Sequence, residues 1–154
     1  MVHRIRVAGL VRRGDEILLI QQQNRHGVRR WSIPGGRLEP TDADIFRGVE
    51  REVWEETGLR VEARELRFIS EYLAPELFAV TLIIECQLAP DEHPDNIHLD
   101  NIMEDDNIHG VAWWSASNIQ GSEVPMSRML GTSEFWEALD GTIGVVYLGR
   151  HQDV

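Results

Sequence analysis

The 154-residue chain has no lysine and a single cysteine. One cysteine, Cys86, excludes an internal disulfide and is typical of proteins in reducing compartments. No apolar run approaches the roughly 18 residues that a membrane span requires. Residues 1–11 alternate apolar with polar side chains, which is not the pattern of a signal peptide. These absences predict one domain over residues 1–154, located in the cytoplasm and without a membrane segment.

Positive charge is scarce, and arginine supplies all of it. Fifteen arginines stand against 26 acidic residues, which gives a formal net charge of −11. Thirteen arginines and eleven acids lie in residues 1–67, whereas residues from 68 onward hold two arginines and fifteen acids. Because phosphate repels a strongly acidic chain, we expect no nucleic-acid partner. Individual arginines can still bind the phosphate groups of a small molecule.

Hydrophobic alternation and turn residues predict several strands and few helices. Strands are expected at residues 4–12, 17–20, 31–33, 61–72, 77–88 and 111–114, and the first two form a hairpin. Helices are expected at 42–57 and 133–139, residues 89–109 form a long acidic loop, and residues 142–148 are a last strand or a loosely held tail. In 77–88, the face that carries Ile84 and Cys86 is expected in the core. The pattern predicts an α+β fold.

The helix predicted over residues 42–57 has an apolar face. A capping box formed by Thr41 and Asp44 places its start near Asp42, and Gly58 ends it. At 100° per residue, one arc of about 100° is apolar and is expected to face the core. That arc consists of Ile45, Phe46, Val49 and Val53.

A second arc of the same helix is acidic. It carries Glu52, Glu55 and Glu56, with Glu56 at the edge of the apolar arc. A solvated helix face is one interpretation. The position beside the core, and the turn Pro34-Gly35-Gly36 ahead of the helix, favour a functional one instead. Clustered carboxylates without lysines suit a hard cation such as Mg²⁺, which shares its ligands between carboxylates, water and substrate phosphates.

These motifs resemble those of the Nudix hydrolase family. Residues 51–59 read Arg-Glu-Val-Trp-Glu-Glu-Thr-Gly-Leu, which matches the second half of the Nudix box, R-E-U-x-E-E-x-G-U, with U bulky and apolar. Residues 31–36 resemble the strand and Gly-Gly turn that open the box. The first half departs from the pattern. Five residues separate Gly36 from Asp42, which stands in place of a glutamate. Eight residues rather than seven separate Asp42 from Arg51, so that one residue is inserted.

The resemblance implies an α/β/α sandwich with a mixed β-sheet. It also implies hydrolysis of a pyrophosphate bond in a nucleoside diphosphate linked to another moiety, such as a nucleotide, ADP-ribose, a sugar nucleotide or a dinucleoside polyphosphate. By this resemblance Glu55, Glu56 and the Gly36 carbonyl are metal ligands, and Glu52 is a ligand or the general base. Arg51 orients the glutamates. Mg²⁺, or Mn²⁺, is the implied cofactor, and the protein is a monomer or a homodimer.

Two other functions stay open at this point. One is a non-hydrolytic Nudix-fold module that binds nucleotides or regulates a partner, and the other is an acidic metal-binding or interaction domain. The presence of Glu52, Glu55 and Glu56 together favours the hydrolase over the binding module, because a module that only binds does not need all three. The Gly-Gly turn ahead of the helix favours either Nudix function over the acidic domain.

Several further residues are weaker candidates. Four arginines near the Gly-Gly turn are predicted to bind substrate, with ordinary surface charge as the alternative: Arg25, Arg29, Arg30 and Arg37. Three acids of the long loop are either an additional ligand or base, or solvated: Glu104, Asp105 and Asp106. Four aromatic residues in the predicted strands either stack on a base or fill the core: Tyr72, Phe78, Trp113 and Trp114.

Overall fold

The computed structural model describes residues 1–99, 107–141 and 144–152. The strands of this part are β1 (Val2–Arg13), β2 (Glu16–Gln23), β3 (Arg29–Ser32), β4 (Gly35–Arg37), β5 (Val61–Ala74), β6 (Leu77–Leu88), β7 (Ile108–Ser115) and β8 (Val146–Gln152). The helices are α1 (Ile45–Thr57), α2 (Ala116–Gln120) and α3 (Ser133–Gly141), with a short 3-10 helix at Arg128–Gly131. Over these ranges, no helix has the length and apolar character needed to cross a bilayer.

The strands form a mixed sheet in the order β3-β2-β1-β6-β5-β8, with β4 beside β1 and β7 beside β2. The predicted β1–β2 hairpin is present, and its turn residue Gly14 has a φ of 60°. Two pairs, β1–β6 and β5–β8, are parallel, which makes the sheet mixed. β1 pairs with β2 only near the hairpin, through Arg12 with Ile17 and Arg13 with Glu16. Farther from the hairpin, residues of β2 and β3 line a cavity together with residues of β5 and β8.

Two hydrophobic cores lie on opposite faces of the sheet, because neighbouring residues of β1 point in opposite directions. Val7 points toward α1, and Ala8 points toward α3. The core under α1 includes Val7, Val11, Val49, Val53, Ile84 and Cys86. The core under α3 includes Ala8, Leu10, Phe68, Ile83, Phe135 and Leu139. The layers are therefore those of an α/β/α sandwich, as the resemblance implied.

The prediction for β6 was right but incomplete. Ile84 and Cys86 are buried under α1, and burial raises the pKa of the Cys86 thiol to about 12. Ala79 and Ile83 are buried as well, although they belong to the opposite face of the strand. The strand is covered on both sides because α3 packs over the face that the sequence pattern left open.

Helix α1 begins later than predicted. Asp44 is its N-cap, with a side-chain oxygen that accepts from the Arg47 N–H at 2.8 Å. The prediction of a start near Asp42 was wrong, because the Asp42 side chain is bonded to Arg51 and to the Glu39 N–H, and Asp44 takes the cap position. Its end is as predicted, since Gly58 has a φ of 78° and its N–H bonds to the Trp54 carbonyl at 2.8 Å.

Two strands differ from expectation. Residues 35–37 form the short strand β4, where a turn was predicted, because their backbone pairs with β1 through Val7 and Gly36. Of the two alternatives for residues 142–148, the strand is correct over the described part. β8 begins at Val146, and it pairs with β5 through Phe68 and through Tyr72 with His151.

Candidate active site

The two glycines of β4 bring its backbone into close contact with its neighbours. A Cβ atom on Gly35 would lie 2.5 Å from the Val7 carbonyl oxygen, so only glycine lets β4 pair with β1 here. A Cβ atom on Gly36 would lie 2.5 Å from Oε2 of Glu52. The Glu52 carboxylate therefore rests directly against the β4 backbone, in the space that a larger residue would fill.

Glu56 is buried at the base of the same site. Only 3% of its surface is exposed, and its Oε1 accepts a hydrogen bond from the Gly35 N–H at 2.7 Å. The sequence placed this carboxylate at the edge of the apolar arc, where burial requires a partner. The structure supplies one, because the N–H of Gly35 is not needed by the ladder that joins β4 to β1. Glu56 thereby links α1 to the Gly-Gly strand.

Arg51 connects the acids on the solvent side of α1. Its Nη1 donates to Oε1 of Glu52 at 3.0 Å and to Oε2 of Glu55 at 3.2 Å. Its Nε and Nη2 donate to the two carboxylate oxygens of Asp42 at 2.7 and 2.9 Å. Nη2 also reaches the Arg37 carbonyl at 3.2 Å. One guanidinium thus positions three carboxylates and ties the helix to β4.

Asp42, which stands where the family has a glutamate, is the strongest partner of this arginine. The paired hydrogen bonds from Arg51 lower the pKa of Asp42 to about 2, although burial acts in the opposite direction. Only 5% of its side chain is exposed. The carboxylates in turn raise the pKa of Arg51 above its ordinary value. The Asp42 side chain is fixed by Arg51, so the inserted residue has not disconnected this acid from the helix.

A cavity of about 610 Å³ opens over these groups. Its walls contain Glu52, Glu55, Glu56, Arg51, Gly35 and Gly36, and also Arg6, Gln22, Arg37, Glu39 and Thr41. Within the described ranges, no three acidic, histidine or cysteine side chains are gathered into a closed metal site. Such a site is not required for Mg²⁺, which takes one or two carboxylates and completes its shell with water and phosphate. The donor set, all oxygen and open to one side, fits that ion.

A family model described as the NUDIX domain matches residues 2–129. The chain belongs to the Nudix family. A MutT-like protein from Streptomyces ambofaciens is 42% identical over 86 residues, which cover 56% of this chain and 53% of that protein. The chain thus spans about half the length of this relative. The nucleoside diphosphate-linked moiety X motif 6 protein of Xenopus laevis is 30% identical over 92% of this chain and 67% of its own length.

Solved structures show the same fold. A NUDIX hydrolase from Nitrosomonas europaea superposes with a TM-score of 0.70 over 97% of this chain and 79% of that chain, at 19% identity. The Nudix box of this chain corresponds to β4, α1 and the loop between them. The inserted residue lies in that loop, ahead of the N-cap Asp44.

The four predicted substrate-binding arginines of this Nudix domain occupy three different places. Arg37 lines the cavity with the glutamates. Arg30 lines a second cavity, which adjoins the first at Gln22. Arg25 donates to His26 at 3.2 Å and Arg29 to Gln23 at 3.1 Å, and neither side chain lines either cavity.

The aromatic candidates also lie in different places in the structure. Tyr72 lines the second cavity. Trp114 packs against the core under α3, and the Trp113 indole donates to the Pro94 carbonyl at 2.9 Å. Phe78 contacts His3 edge to face. The acids Glu104, Asp105 and Asp106 lie outside the described residues.

Sequence reasoning missed several residues that line the two cavities, among them Arg6, Gln22, Arg128 and His151. Arg6 and Gln22 alternate along strands, Arg128 begins a 3-10 helix, and His151 lies in the strand that was left open. The local sequence pattern could not have identified them, because each residue reaches its cavity only through contacts between segments that are distant in the chain.

Proposed function

We propose that this Nudix protein hydrolyses the pyrophosphate bond of a nucleoside diphosphate linked to another moiety, and that it depends on Mg²⁺ or Mn²⁺. The observation that carries the proposal is the contact between α1 and β4. It places Glu52, Glu55 and Glu56 beside the Gly-Gly backbone in one open cavity. Hydrolases of this family generally use divalent cations.

The charge of the cavity supports the same conclusion. Four glutamates and three arginines line it, so it is negative before any substrate enters. A diphosphate brings further negative charge, and it cannot approach the glutamates closely unless cations lie between them. Glu52, Glu55, Glu56 and the Gly36 carbonyl would hold the cation. When bound, it neutralises phosphate charge and activates the attacking water.

The protein's own groups then have separate tasks. Glu52, pressed against Gly36, accepts a proton from water or serves as a ligand. Arg51 holds Glu52 and Glu55 in place through Nη1. Arg6 and Arg37 form no ion pair with a described residue and lie on the cavity wall, where each can bind phosphate oxygens.

The substrate class follows from this arrangement and from the relatives. The cavity offers groups for phosphate oxygens, and the adjoining cavity provides room for the rest of the molecule. The Xenopus laevis relative carries nucleoside diphosphate-linked moiety X in its name. We extend that class of small molecule to this protein.

One experiment tests the proposal. The protein is incubated with Mg²⁺ or Mn²⁺ and a panel of nucleoside triphosphates, sugar nucleotides, dinucleoside polyphosphates and ADP-ribose, and the products are identified by phosphorus NMR. Isotopically labelled water identifies the phosphorus that is attacked. We expect at least one compound to be split into two phosphate-bearing products or to release phosphate or pyrophosphate. Binding of the panel without hydrolysis by either metal would contradict the proposal and favour a binding module.

A further inference from the structure

The second cavity has a different chemical character from the first. Its volume is about 630 Å³, and it meets the glutamate cavity at Gln22, which lines both. Its wall contains Arg30, Arg128 and His151 and no acidic residue among those described. In a chain with a net charge of −11, a cavity whose described wall carries only basic charged groups needs a specific explanation.

Backbone pairing brings the two arginines together. The Trp31 N–H donates to the Pro125 carbonyl at 3.0 Å, and the Ser127 N–H donates to the Trp31 carbonyl at 2.8 Å. These bonds hold the start of the 3-10 helix against β3, so that Arg30 and Arg128 border the same space. On the opposite wall, His151 pairs in register with Tyr72. With Gln22 of β2, five separate segments therefore contribute to one cavity.

Carboxylate pairing separates the arginines of the described chain into two groups of similar size, and both arginines of this wall belong to the unpaired group. Seven arginines of the described chain have a carboxylate partner within 4 Å: Arg12, Arg13, Arg47, Arg51, Arg64, Arg67 and Arg150. In the same described ranges, neither Arg30 nor Arg128 has one. Two guanidinium groups on one cavity without a carboxylate repel each other, and a bound anion would remove that repulsion.

We infer that this cavity is a second anion subsite, which binds a phosphate group of the substrate separate from the diphosphate that is cleaved. The inference rests on the proposed function, since the shared wall at Gln22 places the two subsites side by side for one ligand. Arg30 and Arg128 present forked donors that match phosphate oxygens. The preferred substrate is accordingly a nucleoside diphosphate derivative that carries an additional phosphomonoester, either on the ribose or on the linked moiety.

The subsite is tested first without any substrate or metal. Inorganic phosphate is titrated into the protein at low ionic strength, and NMR follows the guanidinium N–H signals of Arg30 and Arg128 and the amide of Ser127. We expect saturable shifts at these positions. Arg30→Gln and Arg128→Gln should each weaken the apparent affinity by at least about fivefold, as loss of a charge-assisted hydrogen bond does. Arg60→Gln, which removes an exposed arginine far from the cavity, should leave the affinity unchanged.

The titration decides on the subsite independently of hydrolysis. Shifts that do not saturate, or that persist with the same affinity in both cavity variants, would overturn the inference. Because no pyrophosphate bond is present in the probe, failure of the proposed function does not affect this result. An equal loss in Arg60→Gln would show only a response to overall charge and would overturn the inference too.

A second measurement decides on the substrate class. Hydrolysis is compared within pairs that differ by one phosphomonoester: NADP⁺ with NAD⁺, and coenzyme A with dephospho-coenzyme A. We expect the phosphorylated member of at least one pair to have the lower KM, by about fivefold or more. Arg30→Gln and Arg128→Gln should erase that difference through KM while changing kcat little. Equal KM values within both hydrolysed pairs would contradict the substrate class. Absence of hydrolysis of both pairs by a protein that splits other members of the panel would contradict it too, whereas absence of hydrolysis of the whole panel would count against the proposed function.

Discussion

The two adjoining cavities are built by opposite means. In the glutamate cavity the charged groups of α1 are fixed, since Arg51 binds three carboxylates and Glu56 is held by the Gly35 N–H. In the second cavity, Arg30 and Arg128 have no carboxylate partner among the described residues. The glutamates of the first cavity are held by hydrogen bonds within the protein. The second cavity presents a positively charged surface to which a ligand would supply the negative charge.

The difference corresponds to the task proposed for each region. Chemistry requires reacting groups to be held close to one geometry, and small displacements reduce the rate strongly. Recognition of a phosphate group requires donors and charge, and these tolerate movement better. This contrast can be tested by removing the charge of Glu52 and by displacing its carboxylate. It can also be tested by measuring metal binding to the glutamates and the strength of the ion pair between Arg51 and Asp42.

The largest effect is expected from Glu52→Gln. This change keeps the shape of the side chain but removes its charge and basicity, and a positioned base typically contributes ~10²–10⁴-fold to the rate. Turnover is measured on the best substrate of the panel, with circular dichroism as the check on folding. Glu65→Gln, on an exposed part of β5, is the control and should retain full activity. Turnover of Glu52→Gln within a factor of a few of the parent protein would exclude this side chain from the mechanism.

Displacing the Glu52 carboxylate should reduce turnover nearly as much as removing its charge. In Gly36→Ala, the new methyl group would lie 2.5 Å from Oε2 of Glu52, so the carboxylate has to move. A shift of about 1 Å can reduce the rate by ~10²-fold. Gly131→Ala is the matched control, because nothing lies within 4 Å of its added Cβ atom. Equal kcat values in the two variants would show that the contact between Glu52 and the β4 backbone is not needed.

The glutamates should also bind metal to the folded protein. A cation at 100 times its dissociation constant stabilises the native state by about 2.7 kcal/mol, so Mg²⁺ or Mn²⁺ should raise the Tm by several degrees. The double change Glu55→Gln with Glu56→Gln should remove most of that increase. The pair Glu62→Gln with Glu65→Gln removes the same charge outside the cavity and should preserve it. If the glutamate double variant keeps the full increase, the ions bind elsewhere.

The smallest effect is expected from the ion pair between Arg51 and Asp42. Since the pKa of Asp42 is about 2 in the folded protein and 3.8 when unpaired, its contribution to stability is present above about pH 4 and is lost as the pH falls toward 2. Solvent screening at the partly exposed Arg51 limits this contribution to about 1 kcal/mol. Asp42→Asn should lower the Tm near neutral pH, and the gap to the parent protein should close in acid. A gap independent of pH would mean that the ion pair contributes nothing.

Much of the glutamate cavity could be predicted from the sequence, because its main element is one helix. The 3.6-residue period places Val49 and Val53 in the core, and both are fully buried. The same period places the glutamates on the neighbouring face, and Gly58 ends the helix where expected. Local spacing also implied that β1 and β2 form a hairpin.

The rest depends on contacts between distant segments. The start of α1 was misplaced because Thr41 looked like part of a capping box, whereas Asp42 is engaged by Arg51 and Asp44 caps the helix. Arg29 and Arg30 were indistinguishable in sequence. In the structure their side chains lie on opposite faces of β3, because neighbouring residues of a strand point in opposite directions. Only Arg30 borders a cavity.

The parallel pairing of β8 with β5 has a consequence for the order in which the two cavities form during folding. The helix, β4 and β1 all come from the first 57 residues, so their mutual contacts close short stretches of chain. His151 reaches the second cavity only after β8 has docked beside Tyr72, across a long intervening segment. Closing such long loops is slow, and non-local pairing delays folding. During refolding, the proposed catalytic carboxylates are thus expected to be in place before the second cavity is complete.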